Sequence, residues 1–381
     1  MDRQNSQTFN PEHLLLVDSM REHLADVLKP CHTNEYLFRF LKAQDYNVNR
    51  AVEAFVSTMN WRKKNQIDSI VETAQEDPYL RVLRNFWPGR FLEGASVDQI
   101  VYYEDVGVLD IKHILSVIPH KYIIKYHMYM MELQEIERRR MHQEQGCPIS
   151  MIIIYDMRNV GTKHIQVAGF EILRELAKID EEHYPEFLDK IYLVNTSGIL
   201  SAVLKMARLF VPEKFVSKIQ IGTGNLLSML SISSLPSTIG GTSTVNFSFC
   251  GSLNYYDIFP DAERVTIGNK SHHTVCQSVD TPGSILDINF VSECNDIGLT
   301  VSRQKAEEGS QGEDEKIIFP LKRFNSHVNA VSLQVRASKA GKYAVRFDNT
   351  YSTWTSKCVT YKINVLHPNT AVGSDAITDS T

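Results

Sequence analysis

The sequence predicts an α/β domain preceded by a small helical bundle and followed by an all-β sandwich, and three observations predict it. Helical periods fill the first 70 residues, strand and helix alternate from about residue 99, and past Gly240-Gly241 no long helical period remains. A chain of 381 residues with 43% hydrophobic content is long enough for two or three domains, each with its own core. A formal charge of −5 disfavours general nucleic-acid binding, which needs a basic surface to release counterions.

The elements follow in order. HLLLVDSMREHLADVL, EYLFRFLKA and AVEAFVSTMNWRKK read as helices; Pro30 separates the first two, and Asn47 or Asn49 caps the third. QIVYYED reads as a strand, HKYIIKYHMYMMELQEIERRRMHQE as a long helix and SMIIIYDM as a strand. KHIQVAGFEILRELAKI, KIYLVN, ILSAVLKMARLF and SKIQIGT continue the alternation as helix, strand, helix, strand. This order implies crossovers and a largely parallel sheet, and the unbroken apolar runs MIII and IYLV imply that both its faces are covered. VSLQVRA, KYAVRF and KCVTYKINV alternate like strands of a sandwich, and the acidic stretch 306–316 reads as a mobile loop between strands. After Pro368 the tail is polar and reads as disordered.

Catalytic patterns are mostly missing. GTGNLL at 222–227 follows a strand but has Leu227 where a dinucleotide fingerprint has its third glycine. Neither a P-loop nor a nucleophile elbow is present. Adjacent His272 and His273 face opposite ways in a strand, and the six cysteines form no C-x-x-C pair, which fits reduced core thiols. Asp180, Glu181 and Glu182 read as an exposed helix end, and the sequons at Asn195, Asn246 and Asn269 as chance. No catalysis, metal or cofactor is expected. No apolar run approaches the roughly 18–20 residues of a spanning helix and no signal peptide is visible, so a cytoplasmic, monomeric protein is expected.

One helix is unusual. ILSAVLKMARLF, residues 199–210, carries only Ser201, Lys205 and Arg208 as polar side chains, and their spacing stacks them in one stripe. The remaining surface, Ile199, Leu200, Val203, Leu204, Met206, Ala207, Leu209 and Phe210, is apolar, and with Ile152 and Ile154 of the MIII strand it forms a candidate wall of an oily pocket. A helix packed flat on the sheet explains the same pattern, and the residues alone leave both readings open. A pocket has an energetic use: moving a sixteen-carbon chain into water costs roughly 13 kcal/mol, which apolar walls remove. Lys205 and Arg208, with Lys214 nearby, add about 1 kcal/mol each at an anionic surface, enough for transient peripheral docking.

Three stretches then carry a resemblance. EYLFRFLKAQDYNVNRAVEAFVSTMNWRKKNQID resembles the N-terminal helical region of the CRAL-TRIO lipid-binding family. MIIIYDMRNVGTKHI, HYPEFLDKIYLVNTSGILSAVLKMARLFVPEKFVSKIQIG and LPSTIGGT resemble its lipid-binding core. GKYAVRFDNTYSTWTSKCVTYKINVLHP resembles the last hairpin of the GOLD domain that ends the supernatant-protein-factor-like subgroup. The resemblance implies an N-terminal helical region (1–75), a hollow CRAL-TRIO α/β domain (76–245), a jelly-roll-like GOLD β-sandwich (246–367) and a tail (368–381). It also implies one bound lipid as ligand, a movable gate at 199–211, and a headgroup site mapping to Tyr184, Glu186 and Lys218. A structural ion pair between Glu186 and Lys218 is the plainer alternative for that site. The family's R-A-R-type segment reads Lys42-Ala43-Gln44-Asp45 here, which weakens the case for phosphatidylinositol and leaves tocopherol or squalene as further ligands. The GOLD resemblance implies protein or membrane contacts in Golgi and secretory traffic, while Asp348, Asn349 and Thr350 also read as plain turn formers. The expected function is lipid binding with transfer or presentation between membranes. The rival is an adaptor that binds a small GTPase or a Golgi partner, with lipid as its regulator.

Overall fold

The computed structural model describes residues 10–243, 253–304, 315–369 and 377–378. The junction expected at residue 245, most of the acidic loop at 306–316 and most of the tail lie outside the described residues. The chain divides into two compact units, Met1–Ile111 with Ile124–Gly251, and Lys112–Ile123 with Ser252–Thr381.

The first unit opens with helices α1 (Pro11–His23), α2 (Asn34–Ala43), α3 (Val48–Lys64), α4 (Ile70–Thr73) and α5 (Pro78–Phe86). Their starts are chemically marked: Thr33 accepts from the Tyr36 N–H at 3.2 Å, Asn47 from the Arg50 N–H at 3.1 Å, and Asp77 caps α5 just before Pro78. Met20, Leu37, Phe40 and Phe55 close the bundle core, with the two phenyl rings edge to face at 5.4 Å. Strands β1 (Gly89–Phe91) and β2 (Gln99–Asp105) follow; after α6 (Ile111–Val117) and the first turn of α7 (His120–Gln145), which from Lys112 to Ile123 belong to the second unit, come the rest of α7, β3 (Ser150–Asp156), α8 (Val167–His183), β4 (Leu188–Val194), α9 (Leu200–Phe210), α10 (Glu213–Val216), β5 (Ile219–Ile221) and α11 (Leu226–Met229). The sheet order is β1-β2-β3-β4-β5, with β1 antiparallel to β2 and every other pairing parallel. Asn47, rather than Asn49, is the observed cap of α3, and α1 stops at His23, short of the apolar period that continues to Leu28.

The second unit holds α12 (Tyr255–Ile258) and strands β6 (Glu263–Ile267), β7 (His272–Val279), β8 (Ile285–Ser292), β9 (Ile297–Arg303), β10 (Lys316–Phe324), β11 (Val331–Arg336), β12 (Gly341–Asp348), β13 (Lys357–Leu366) and β14 (Ile377–Thr378). Two sheets form, β10-β9-β12-β7 and β14-β11-β8-β13-β6, and Phe290, Leu299, Val301, Phe347 and Ile288 from both contribute to one core. Asp348 and Asn349 act as turn formers: the Asp348 carboxylate accepts from the Thr350 N–H at 2.9 Å, while the fully buried Asn349 amide donates to the carbonyls of Ile267, Gly268 and Thr355. The segment Lys112–Ile123 was not foreseen as part of this unit; the Leu115 carbonyl accepts from the Ala330 N–H at 2.8 Å, and His113 Nε2 lies 2.6 Å from the Leu253 carbonyl.

Two buried polar groups of the first unit set its response to mutation and pH. Arg138, 1% exposed, places its guanidinium on Glu135 at 2.6 and 3.0 Å and on Glu35, and Arg39 reaches Glu135 at 3.1 Å, so α7 is clamped to α2. Burial pushes the Glu135 carboxyl up, but Arg39 and Arg138 override it and hold the group at about 2. Its contribution to stability is therefore present above the ordinary carboxyl range and is lost as pH falls toward 2. Arg138→Ala leaves two buried carboxylates with too little countercharge and is expected to cost about 3–5 kcal/mol in urea unfolding at pH 7. Glu104 is the opposite case: burial raises it to about 7 despite a hydrogen bond donated by the Trp87 indole at 3.1 Å. The folded state holds this proton more tightly than the unfolded chain, so stability declines as pH rises through 7. The stability of Glu104→Gln relative to the parent should rise by up to about 3 kcal/mol between pH 4.5 and pH 8, read from paired denaturation curves.

Candidate functional site

Strand alternation divides the central sheet into two unlike faces. On one, Val101, Tyr103, Ile152, Ile154, Tyr192 and Val194 pack with Leu226, Leu230 and Leu235 into a closed core, with Ile152 and Ile154 fully buried. On the other, the parallel register places Tyr102 beside Ile153 and Ile191, and Glu104 beside Tyr155 and Leu193. Ile153 and Tyr155 belong to the central strand, with a paired strand on each side, yet both retain accessible surface. Burial nonetheless pushes the Tyr155 phenol far above its ordinary range. A side chain that is deep and still accessible marks a face less completely filled than the closed core opposite.

Helix α9 lies over this second face. Ile199, Leu200, Val203 and Leu204 pack against a cluster of Met157, Val160, Ile191 and Leu193, together with Ile153 and Tyr155. Only Ala207 of α9 is buried; Leu200, Val203, Leu204, Met206 and Phe210 are half-buried, and Phe210 stacks on Phe170 of α8 at 5.7 Å. Two expectations need correction. Ile152 and Ile154 cannot line the same space as α9, because successive residues of a strand face opposite sides; Ile153 and Tyr155 do so instead. Leu209 is 72% exposed and sits on the outer stripe with Lys205 and Arg208, four and one positions away, so it faces away from the sheet. Lys214, 53% exposed, pairs with Glu186 at 2.9 Å.

The start of α9 is tied by a buried hub. Asp156, with no exposed surface, accepts from Tyr103 Oη at 2.7 Å, Arg158 Nε at 2.9 Å, Asn195 Nδ2 at 3.0 Å and Thr238 Oγ1 at 3.4 Å. It joins β3 to the loop that leads into α9 and to the LPSTIGGT segment. Asn195 itself is in the left-handed region at φ 51°, a conformation asparagine tolerates better than most residues.

The other end of α9 leads to a lysine cluster. Glu186, also at positive φ, pairs with Lys42 of α2 at 3.0 Å and with Lys214 of α10 at 2.9 Å. Burial raises its carboxyl, and the two ammonium groups outweigh that and hold it below the usual carboxylate range. The Lys218 ammonium donates to the Leu188 carbonyl, and burial lowers its pKa although Glu186 opposes the shift. The expected Glu186–Lys218 pair is thus replaced: Lys42 and Lys214 reach Glu186, and Lys218 finds a backbone acceptor. Tyr184 does not join them. Its hydroxyl donates to Glu132 at 2.7 Å, and Glu132 is held by a bidentate Arg62 at 2.8 and 2.9 Å. Lys42, Lys214 and Lys218 outnumber the carboxylates Glu186 and Asp189 beside them, which leaves local positive charge suited to an anion.

Sequence reasoning missed Lys42 as a partner of Glu186, Asp156 as a hub and Glu104 as the carboxyl on the face of the sheet that α9 covers. Only Asp156 left a trace, as a lone acid ending an apolar strand. Asp180, expected to be exposed, is half-buried and bonds His127 Nε2 at 2.7 Å. No helix among the described residues is long and apolar enough to cross a membrane.

The family described as CRAL/TRIO domain matches residues 98–241, the span from the start of β2 to Gly241. The chain is 25% identical over 257 residues to the phosphatidylinositol/phosphatidylcholine transfer protein SFH11 of Arabidopsis thaliana, covering 63% of this chain and 66% of that protein. It is 27% identical over 263 residues to the phosphatidylinositol/phosphatidylcholine transfer protein SFH4 of the same plant, covering 64% of this chain and 42% of that protein. The chain therefore spans less than two thirds of the length of either relative. The solved structure of Sfh5 overlays with a TM-score of 0.47 at 15% identity, over 59% of this chain and 85% of that one. Over residues 98–241, from β2 through α11 to Gly241, the chain is thus similar to CRAL/TRIO domains.

Proposed function

We propose that the chain binds one lipid, with its acyl part in the recess between α9 and the Ile153–Tyr155 face of the sheet, and transfers or presents it between membranes. The carrying observation is the accessible surface on Ile153 and Tyr155 of the central strand beneath a helix that buries only Ala207. Apolar surface left uncovered in so deep a place is a cost that an acyl chain removes, at about 0.8 kcal/mol per methylene. The names of the Arabidopsis relatives support a phospholipid as the ligand class. The cluster of Lys42, Lys214 and Lys218 favours an anionic headgroup over tocopherol or squalene. In this reading α9 is the gate, and its outer stripe of Lys205, Arg208 and Leu209 meets the bilayer surface transiently.

Organic extraction of the purified protein followed by mass spectrometry tests the reading directly: a stoichiometric phospholipid is expected, and a lipid-free protein with a folded first unit overturns it. The Val203→Glu/Leu204→Glu double variant puts two charges where the recess is apolar and should lose more than nine tenths of its lipid loading. Unchanged loading would remove α9 from the mechanism. Lys218→Ala and Lys42→Ala should each weaken binding of phosphatidylinositol by roughly tenfold while sparing uncharged lipids. An equal loss for both classes assigns these lysines to the structure alone.

A further inference from the structure

Among the described residues of the second unit, the loop between β12 and β13 carries Trp354, which is 92% exposed. A tryptophan so displayed is unusual, since the indole gains from leaving water. The loop does not owe this to looseness. Asn349 clamps its base, the Lys270 N–H donates to the Ser352 carbonyl at 3.0 Å, Asn269 Nδ2 donates to the Thr353 carbonyl at 2.8 Å, and Tyr351 Oη donates to the Asp296 carbonyl at 3.2 Å. Trp354 is therefore held out on a braced loop, and exposing it is a feature of the fold.

Beside it opens a recess of about 370 Å³ whose lining is polar and cationic. The Tyr351 ring has the Arg323 guanidinium and the Lys357 ammonium each at 4.1 Å from its centroid. Both cations share Asp296: Arg323 through Nε, and Lys357 at 3.2 Å. Two cations against one carboxylate leave one positive charge, and the exposed Lys270 at the next turn adds another. Arg323 is 60% exposed, whereas Lys357 is almost fully buried.

We infer that this corner of the β unit is a docking surface for an anionic bilayer, with Trp354 seated at the headgroup boundary and a lipid phosphate drawn to Arg323 and Lys270. The chemistry selects a bilayer over a protein partner. A peptide groove offers apolar pockets for anchoring side chains, but apart from the Tyr351 and Trp354 rings this recess is lined by Asn295, Ser352, Thr353 and Thr355 around its charges. A lone indole next to cations matches the two layers of a membrane interface, where indoles settle by the carbonyls and cations by the phosphates. The inference is independent of lipid carriage by the first unit.

The test uses the full chain with phosphatidylcholine vesicles made with and without phosphatidylserine, some carrying brominated acyl chains. The three tryptophans are Trp61, Trp87 and Trp354, so the signal lost in Trp354→Ala is that of Trp354. Bromolipid quenching of the parent that disappears in Trp354→Ala is expected, with vesicle affinity lowered about tenfold. Arg323→Ala and Lys270→Ala should each lower affinity about fivefold on the anionic vesicles only. Retained quenching and affinity in Trp354→Ala overturns the inference, as does an anionic preference indifferent to both cation variants. A Trp354→Ala protein that loses docking but still extracts with stoichiometric lipid separates this surface from the carrier function; unaltered docking by a lipid-free protein overturns carriage and leaves this surface standing.

Discussion

The constraint on which the first unit turns is the mismatch between α9 and the sheet beneath it. A helix with so few polar side chains should bury most of its circumference, yet only Ala207 is buried, and the strand residues below it keep accessible surface. The closed core on the opposite face shows what the same sheet does when it is sealed: Ile152, Ile154, Tyr192 and Val194 have no exposed surface at all. The two faces are built from successive residues one peptide bond apart, and it is the α9 side of the central strand that keeps accessible surface on Ile153 and Tyr155.

Polar interactions hold the surroundings of that soft contact in place. Arg138, Arg39, Glu35 and Glu135 lock α7 to α2, and Arg62 with Glu132 and Tyr184 adds a second tie between α3, α7 and the end of α8. Such buried pairs are poor sources of net stability, but they penalise any arrangement that separates the partners. They favour one register of helix against helix, while apolar contacts around α9 leave that helix free of comparable directional bonds.

Legibility in the sequence followed the physics of each signal. The strands QIVYYED and SMIIIYD, the long helix through 120–145 and the β-strands near the C-terminal end were readable because apolar periodicity is a local signal. The apolar helix at 199–210 was readable for the same reason, and its exposed stripe fell where the spacing of Ser201, Lys205 and Arg208 put it. The errors lie one step further on. Ile152 and Ile154 were grouped with α9 by hydrophobicity alone, although alternation within an all-apolar run conceals which residues face which side. Leu209 was grouped by residue type, although its helical position lies on the stripe. The partners of Glu186 depend on α2 and α10 meeting a turn, and a contact across so much chain leaves no mark in local spacing. Lys42 was read there as part of a departure from a family pattern, when in space it supplies one of the three positive charges.

The two ends of α9 are anchored unequally, and in the carrier reading that inequality matters. At its start, Asn195 bonds the fully buried Asp156, an acceptor that Tyr103, Arg158 and Thr238 also hold. Leaving that hub would strand buried polar groups, so it serves as a fixed end. Beyond its other end, α10 is held by Lys214 on Glu186, a pair whose lysine is 53% exposed and therefore weak. A phosphate arriving among Lys42, Lys214 and Lys218 competes with Glu186 for the same ammonium groups. In the carrier reading, headgroup capture weakens the anchor next to the helix that must move while the Asp156 hub persists, so that binding and opening are coupled through one shared lysine and, by thermodynamic reciprocity, an open gate favours the headgroup to the same extent.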